Sequence, residues 1–63
     1  MSRKYVLYDG RAFYGPESAS VLTVRDSDEE ARQDAKDFGD AVCYSYEVRD
    51  DHLLDERFEW NSK

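Results

Sequence analysis

The chain has 63 residues and a formal net charge of −6, from 15 acidic and 9 basic side chains. That length is one small domain, 1–63, of marginal stability when it stands alone. With one cysteine and one histidine it forms no internal disulfide and cannot supply the four ligands of a structural zinc site. No apolar run approaches the ~20 residues of a membrane-spanning helix, and no signal-type segment follows Arg3 and Lys4. A cytoplasmic protein with no membrane partner is expected. Stability then falls on aromatic packing, with five Tyr, three Phe and one Trp available.

In chain order, Lys4 to Tyr8 is rich in strand-forming residues and ends at the turn signal Asp9-Gly10. Arg11 to Tyr14 is read as a short strand pairing back across that turn. Gly15-Pro16 then breaks it, and Glu17 to Ser20 is loop. Ser20 to Arg25 is a second strand. Ser27 with Glu30 three residues later forms a capping box, Asp28 and Glu29 suit the positive end of a helix dipole, and Gly39 suits a helix stop. These signals predict a helix over Asp28–Phe38. Ala41 to Arg49 alternates, with Val42, Tyr44, Tyr46 and Val48 on one face, and predicts the clearest strand. Asp50-Asp51-His52 makes a turn. Leu53 to Trp60 follows as a last strand, with Leu54, Phe58 and Trp60 on one side and Asp55, Arg57 and Glu59 on the other.

The order β, (short β), β, α, β, β predicts an α+β fold: a mostly antiparallel sheet of four to five strands with one helix packed on one face. The helix stripe of Ala31, Ala35 and Phe38 is narrow. It is expected to lie on Val42, Tyr44, Tyr46 and Val48, joined by Phe58 and Trp60.

Catalytic and metal-binding patterns fail when tested. Asp26-x-Asp28-x-Glu30 opens like a calcium loop, but Ala31 and Asp37 stand where an EF-hand needs Gly and Glu. Cys43 and His52 lack the orienting group and oxyanion donors of a thiol nucleophile. Asp55, Glu56 and Glu59 have no cleft in which to face one another. The expectation is a protein that is not an enzyme and carries no cofactor. Arg3, Lys4 and Arg11 interleave with Tyr5, Tyr8, Phe13 and Tyr14, a pattern that can bind single-stranded nucleic acid. The overall charge opposes direct nucleic-acid binding.

Charge is unevenly spread. Residues 1–25 carry net +2, whereas residues 26–59 carry net −9. On a helix Glu30, Asp34 and Asp37 share one flank, with Arg32 and Lys36 on the other, and neighbours in such a row lie ~5–6 Å apart at Cβ. Asp50, Asp51, Asp55 and Glu59 are expected to extend this surface from the last hairpin. DNA presents one charge per ~1.7 Å of axis, so a row of carboxylates can occupy a groove built for phosphates. In size, acidity, α+β build and the row Glu30/Asp34/Asp37, the chain resembles the small acidic proteins that phages use as anti-CRISPR and anti-restriction DNA mimics. That resemblance implies a monomeric inhibitor whose partner is a basic, DNA-binding protein surface, such as the channel of a CRISPR surveillance complex. The alternative is a small structural or regulatory interaction module using a Tyr-rich sheet face, with Cys43 near it, and possible dimerisation.

Overall fold

The computed structural model describes residues 2–62. Four strands and one helix follow in the order β1 (Ser2–Asp9), β2 (Val21–Arg25), α1 (Asp28–Phe38), β3 (Ala41–Arg49) and β4 (His52–Asn61). The strands form one open antiparallel sheet in the spatial order β2-β1-β3-β4. Among the described residues, no helix is long and apolar enough to cross a membrane.

The helix has the ends its sequence specifies. The Ser27 hydroxyl accepts from the Glu30 amide at 3.3 Å, which satisfies one of the donors left open at a helix start. Gly39 takes φ 86° and donates its N–H to the Ala35 carbonyl at 2.8 Å. A side chain is strained at that φ, so glycine ends the helix at little cost.

The two faces of the sheet are built differently. On one, Leu7, Ala31, Ala35, Ala41 and Cys43 form a buried cluster, flanked by Tyr5, Leu22 and Trp60. On the other, Val6, Tyr8 and Tyr46 are buried under Phe13, Ala19 and Tyr44. The helix therefore lies on the face of Ala41, Cys43 and Ser45, opposite to the face expected from the sequence. Two alanines bring the helix backbone close to the sheet, and a strand face of small residues permits that approach. Tyr44 and Tyr46 point to the far side. Phe38, expected in the core, is 43 % exposed and shares a shallow crevice with Asp9, Arg11, Leu22 and Asp40.

The far face is covered by the segment 10–20, and this removes the expected strand at Arg11–Tyr14, which instead forms turn and loop. Phe13 reaches back over the sheet, its ring 6.0 Å from Tyr8 and 5.8 Å from Tyr44. Where the segment leaves β1, Gly10 lies against the Asp40 side chain, which a Cβ there would displace.

β4 does not alternate regularly. Cys43 is paired with Trp60 and Tyr44 with Phe58, leaving Glu59 as an extra residue. Ser45 is paired with Arg57 and Glu47 with Leu54, so Asp55 and Glu56 together face Tyr46. Each bulge shifts the alternation by one. Phe58 thus packs edge-on against Tyr44 at 5.7 Å on the far face, whereas Trp60 joins the helix side. The expected common face of Leu54, Phe58 and Trp60 is not formed.

This arrangement ranks the core substitutions. Leu7 is fully buried beneath the helix, so Leu7→Ala should cost about 2–5 kcal/mol, and the half-exposed Phe38→Ala far less. Urea unfolding of both variants checks this; equal losses would contradict the helix placement.

Candidate protein-binding surface

The seven acidic residues singled out in the sequence are not one continuous patch. The helix row faces the β2 edge of the sheet, as the Asp34–Arg25 ion pair at 2.6 Å shows. Asp55 and Glu59 lie on β4, the opposite edge. Two strands intervene, a separation on the order of 14 Å at ~4.8 Å per strand step.

Nor are all seven uncommitted. Asp34 is half-buried and takes two hydrogen bonds from Arg25, at 2.6 and 3.3 Å. Asp55 is paired with Arg3 at 3.2 Å and with Arg57 at 2.7 Å. Glu59 accepts from the Ser45 hydroxyl at 2.6 Å, and Ser45 in turn accepts from Arg3 Nε at 2.9 Å. These three carboxylates already have partners within the fold. Glu30, Asp37, Asp50 and Asp51 are exposed and form no ion pair among the described residues. Glu29, also in the first turn, lies on the other flank of the helix, around the crevice it shares with Arg32, Lys36 and Trp60. The sequence marked it only as a dipole partner.

Most of the basic residues are consumed internally. Lys4 pairs with Asp26, Arg32 with Asp28 and Arg49 with Glu47, in addition to Arg3, Arg25 and Arg57. The negative excess is left on the outward side of α1 and at the tip of the β3–β4 hairpin. That tip is unusual. Asp50 and Asp51 have φ of 49° and 65°, the pattern of a two-residue type I′ turn, for which Asn-Gly is the favoured pair. Two adjacent carboxylates there repel one another and sit in a region most side chains avoid.

The opposite flank of α1 is neutralised. Trp60 Nε1 donates to Asp28 at 2.7 Å, and the Arg32 guanidinium lies 4.8 Å above the Trp60 ring. Asp28 thereby receives two donors, and its carboxyl is held below the usual range chiefly by the Arg32 hydrogen bond and then by Trp60. The Arg25 hydrogen bond does the same for Asp34.

Cys43 and His52 are not brought together by the fold. Cys43 is fully buried, and burial pushes its thiol up to about 12, far from the thiolate that a nucleophile requires. His52 lies at the far end of the sheet, opposite Arg49. The Tyr8 and Tyr46 hydroxyls lie 2.8 Å apart, and Tyr46 donates to Glu56 at 3.2 Å. Burial and that shared bond raise the Tyr46 hydroxyl further. These two tyrosines are interior, whereas Tyr5 and Tyr44 are half-buried and Tyr14 is exposed. Compared with protein-family models, curated proteins and solved structures, the chain matches none.

The lowered carboxyls make stability depend on pH. A carboxyl whose folded pKa lies below its unfolded value contributes stability above the unfolded value and loses it as pH falls through the folded one. The melting temperature should therefore drop as pH falls below about 4. Asp28→Asn and Asp34→Asn should each flatten that slope in thermal melts followed from pH 7 to pH 2.

Proposed function

We propose that the protein is a non-enzymatic inhibitor that binds a basic, DNA-binding protein surface in a bacterial defence complex. It presents carboxylates where DNA would present phosphates, and so blocks target-DNA binding. The observation that carries this reading is the distribution of ion pairs. Six basic side chains are matched internally to acidic ones, which leaves Asp37, Asp50 and Asp51 exposed with no ion pair among the described residues, and Glu30 exposed near Arg25. A surface optimised only for stability would intersperse the signs. The strained Asp50-Asp51 turn points the same way, since backbone strain kept at the surface is often kept for recognition.

The helix supplies rigidity. Its side chains are held by a capped element on a packed sheet, so little conformational entropy is lost when they meet a partner. Each carboxylate that replaces a phosphate releases no counterions from DNA itself, but it competes for the same Lys and Arg side chains. Association should be fast and strongly dependent on salt, as for other complementary charged surfaces.

The test is inhibition of target-DNA binding by purified CRISPR surveillance complexes, read as mobility shifts with increasing amounts of the protein. Glu30→Lys with Asp37→Lys should abolish inhibition and leave the fold intact, because both side chains are exposed and neither forms an ion pair among the described residues; Asp37→Lys alone, away from the Arg25 charge that Glu30 faces, should weaken it. Asp50→Asn with Asp51→Gly should weaken inhibition while raising the melting temperature, because it installs the favoured turn pair. Inhibition unchanged by both sets, or absent against every complex tried, would overturn the proposal.

A further inference from the structure

The outer edge of β4 is the largest open feature of the sheet. The strand is ten residues long, and every side chain from His52 to Glu59 is exposed. Phe58 and Leu53 are 56 % and 59 % exposed, both on the face away from the helix. Long free edges with apolar neighbours tend to pair with other strands, and proteins usually blunt them with charge or bulges. Here the bulges at Asp55 and Glu59 bracket a short regular stretch, residues 56–58, in which Arg57 is paired with Asp55 of its own strand at 2.7 Å.

We infer that this edge pairs antiparallel with β4 of a second copy, about a two-fold axis through Phe58. In that register Arg57, which shares its guanidinium with Asp55 of its own strand, stands opposite the bulge residue Glu59 of the other copy, and Glu59 opposite its Arg57. Both side chains lie on the helix side, as the Ser45–Arg57 pairing and the Ser45–Glu59 hydrogen bond show. Opposite charges therefore meet on each side of the axis, where directly opposed residues approach within about 5 Å at Cβ. On the far face Phe58 meets Phe58, with each ring already set edge-on against its own Tyr44. A register moved by two residues to Glu56 would bring like carboxylates together on the axis.

The net charge of each copy does not prevent this pairing. Asp51 lies seven positions from Phe58, roughly 23 Å along the strand at ~3.3 Å per residue. The two acidic tips then point to opposite ends of the dimer, on the order of 46 Å apart. That is several Debye lengths at physiological salt, each about 8 Å. An axis perpendicular to the sheet puts both helices on the same side of a continuous eight-stranded sheet, with both outward acidic rows exposed.

Sedimentation equilibrium from about 10 μM to about 1 mM, with site-specific cross-linking, tests the inference. Phe58→Cys places two thiols on the axis, within reach of a disulfide. Leu53→Cys places them ten positions apart, about 33 Å. Buried Cys43 does not compete. Under mild oxidation, Phe58→Cys should form a covalent dimer at least about tenfold faster than Leu53→Cys. The parent should sediment as a dimer, and Phe58→Glu, with two carboxylates on the axis, as a monomer. Both positions are more than half exposed, and circular dichroism verifies that the variants fold. A parent that stays monomeric throughout, equal cross-linking rates, or a Phe58→Glu protein that remains dimeric would overturn the inference.

Discussion

The close approach of α1 to the sheet decides most of what the molecule presents to solvent. Ala31 and Ala35 are the only buried residues of the helix, and they rest on Leu7, Ala41 and Cys43. Because these side chains are small, the helix sits low, and its polar flanks are brought against the strands beside it. Arg25 on β2 reaches Asp34, and Trp60 on β4 reaches Asp28. A bulky residue at either alanine would lift the helix and separate both pairs. Ser62 secures the other end, donating to the Gly39 carbonyl at 3.1 Å and accepting from the Ala41 amide at 2.8 Å.

The choice of face also explains the second layer of the core. With the helix on the small-residue side, the tyrosines of β1 and β3 are left without a helix above them. The segment 10–20 supplies the cover through Phe13 and Ala19. Its length and irregularity follow from that task. The hydroxyls of Tyr8 and Tyr46 are buried as a bonded pair, as buried polar groups require. What remains open on this side is the β4 margin around Phe58 and Leu53, where the covering segment does not reach.

The elements legible in the sequence are those specified locally. The helix limits were readable because Ser27, Glu30 and Gly39 act within a few residues of the ends they fix. β3 was readable from its alternation. Which face of β3 meets the helix was not, because both faces are apolar: Val42, Tyr44 and Tyr46 on one, Ala41 and Cys43 on the other. Size matching with Ala31 and Ala35 held the answer, and the larger residues misled. The bulges at Asp55 and Glu59 carry no glycine or proline signal, so the separation of Phe58 from Trp60 was invisible to alternation. Of the candidate surface, Glu30, Asp37, Asp50 and Asp51 are exposed. Asp34, Asp55 and Glu59 are drawn into ion pairs or hydrogen bonds: Arg3 and Ser45 reach Asp55 and Glu59 only through the sheet order, Arg25 reaches Asp34 through the packing of the helix beside β2, and Arg57 is a near neighbour of Asp55 on β4.

All of these consequences rest on which face of the sheet carries the helix. Nuclear Overhauser contacts from the Ala31 and Ala35 methyl groups measure that directly. They should run to the Leu7 and Ala41 methyls and the Cys43 β-protons, with none to the Tyr44 or Tyr46 rings. Contacts from either alanine to those rings would place the helix on the opposite face and contradict the account.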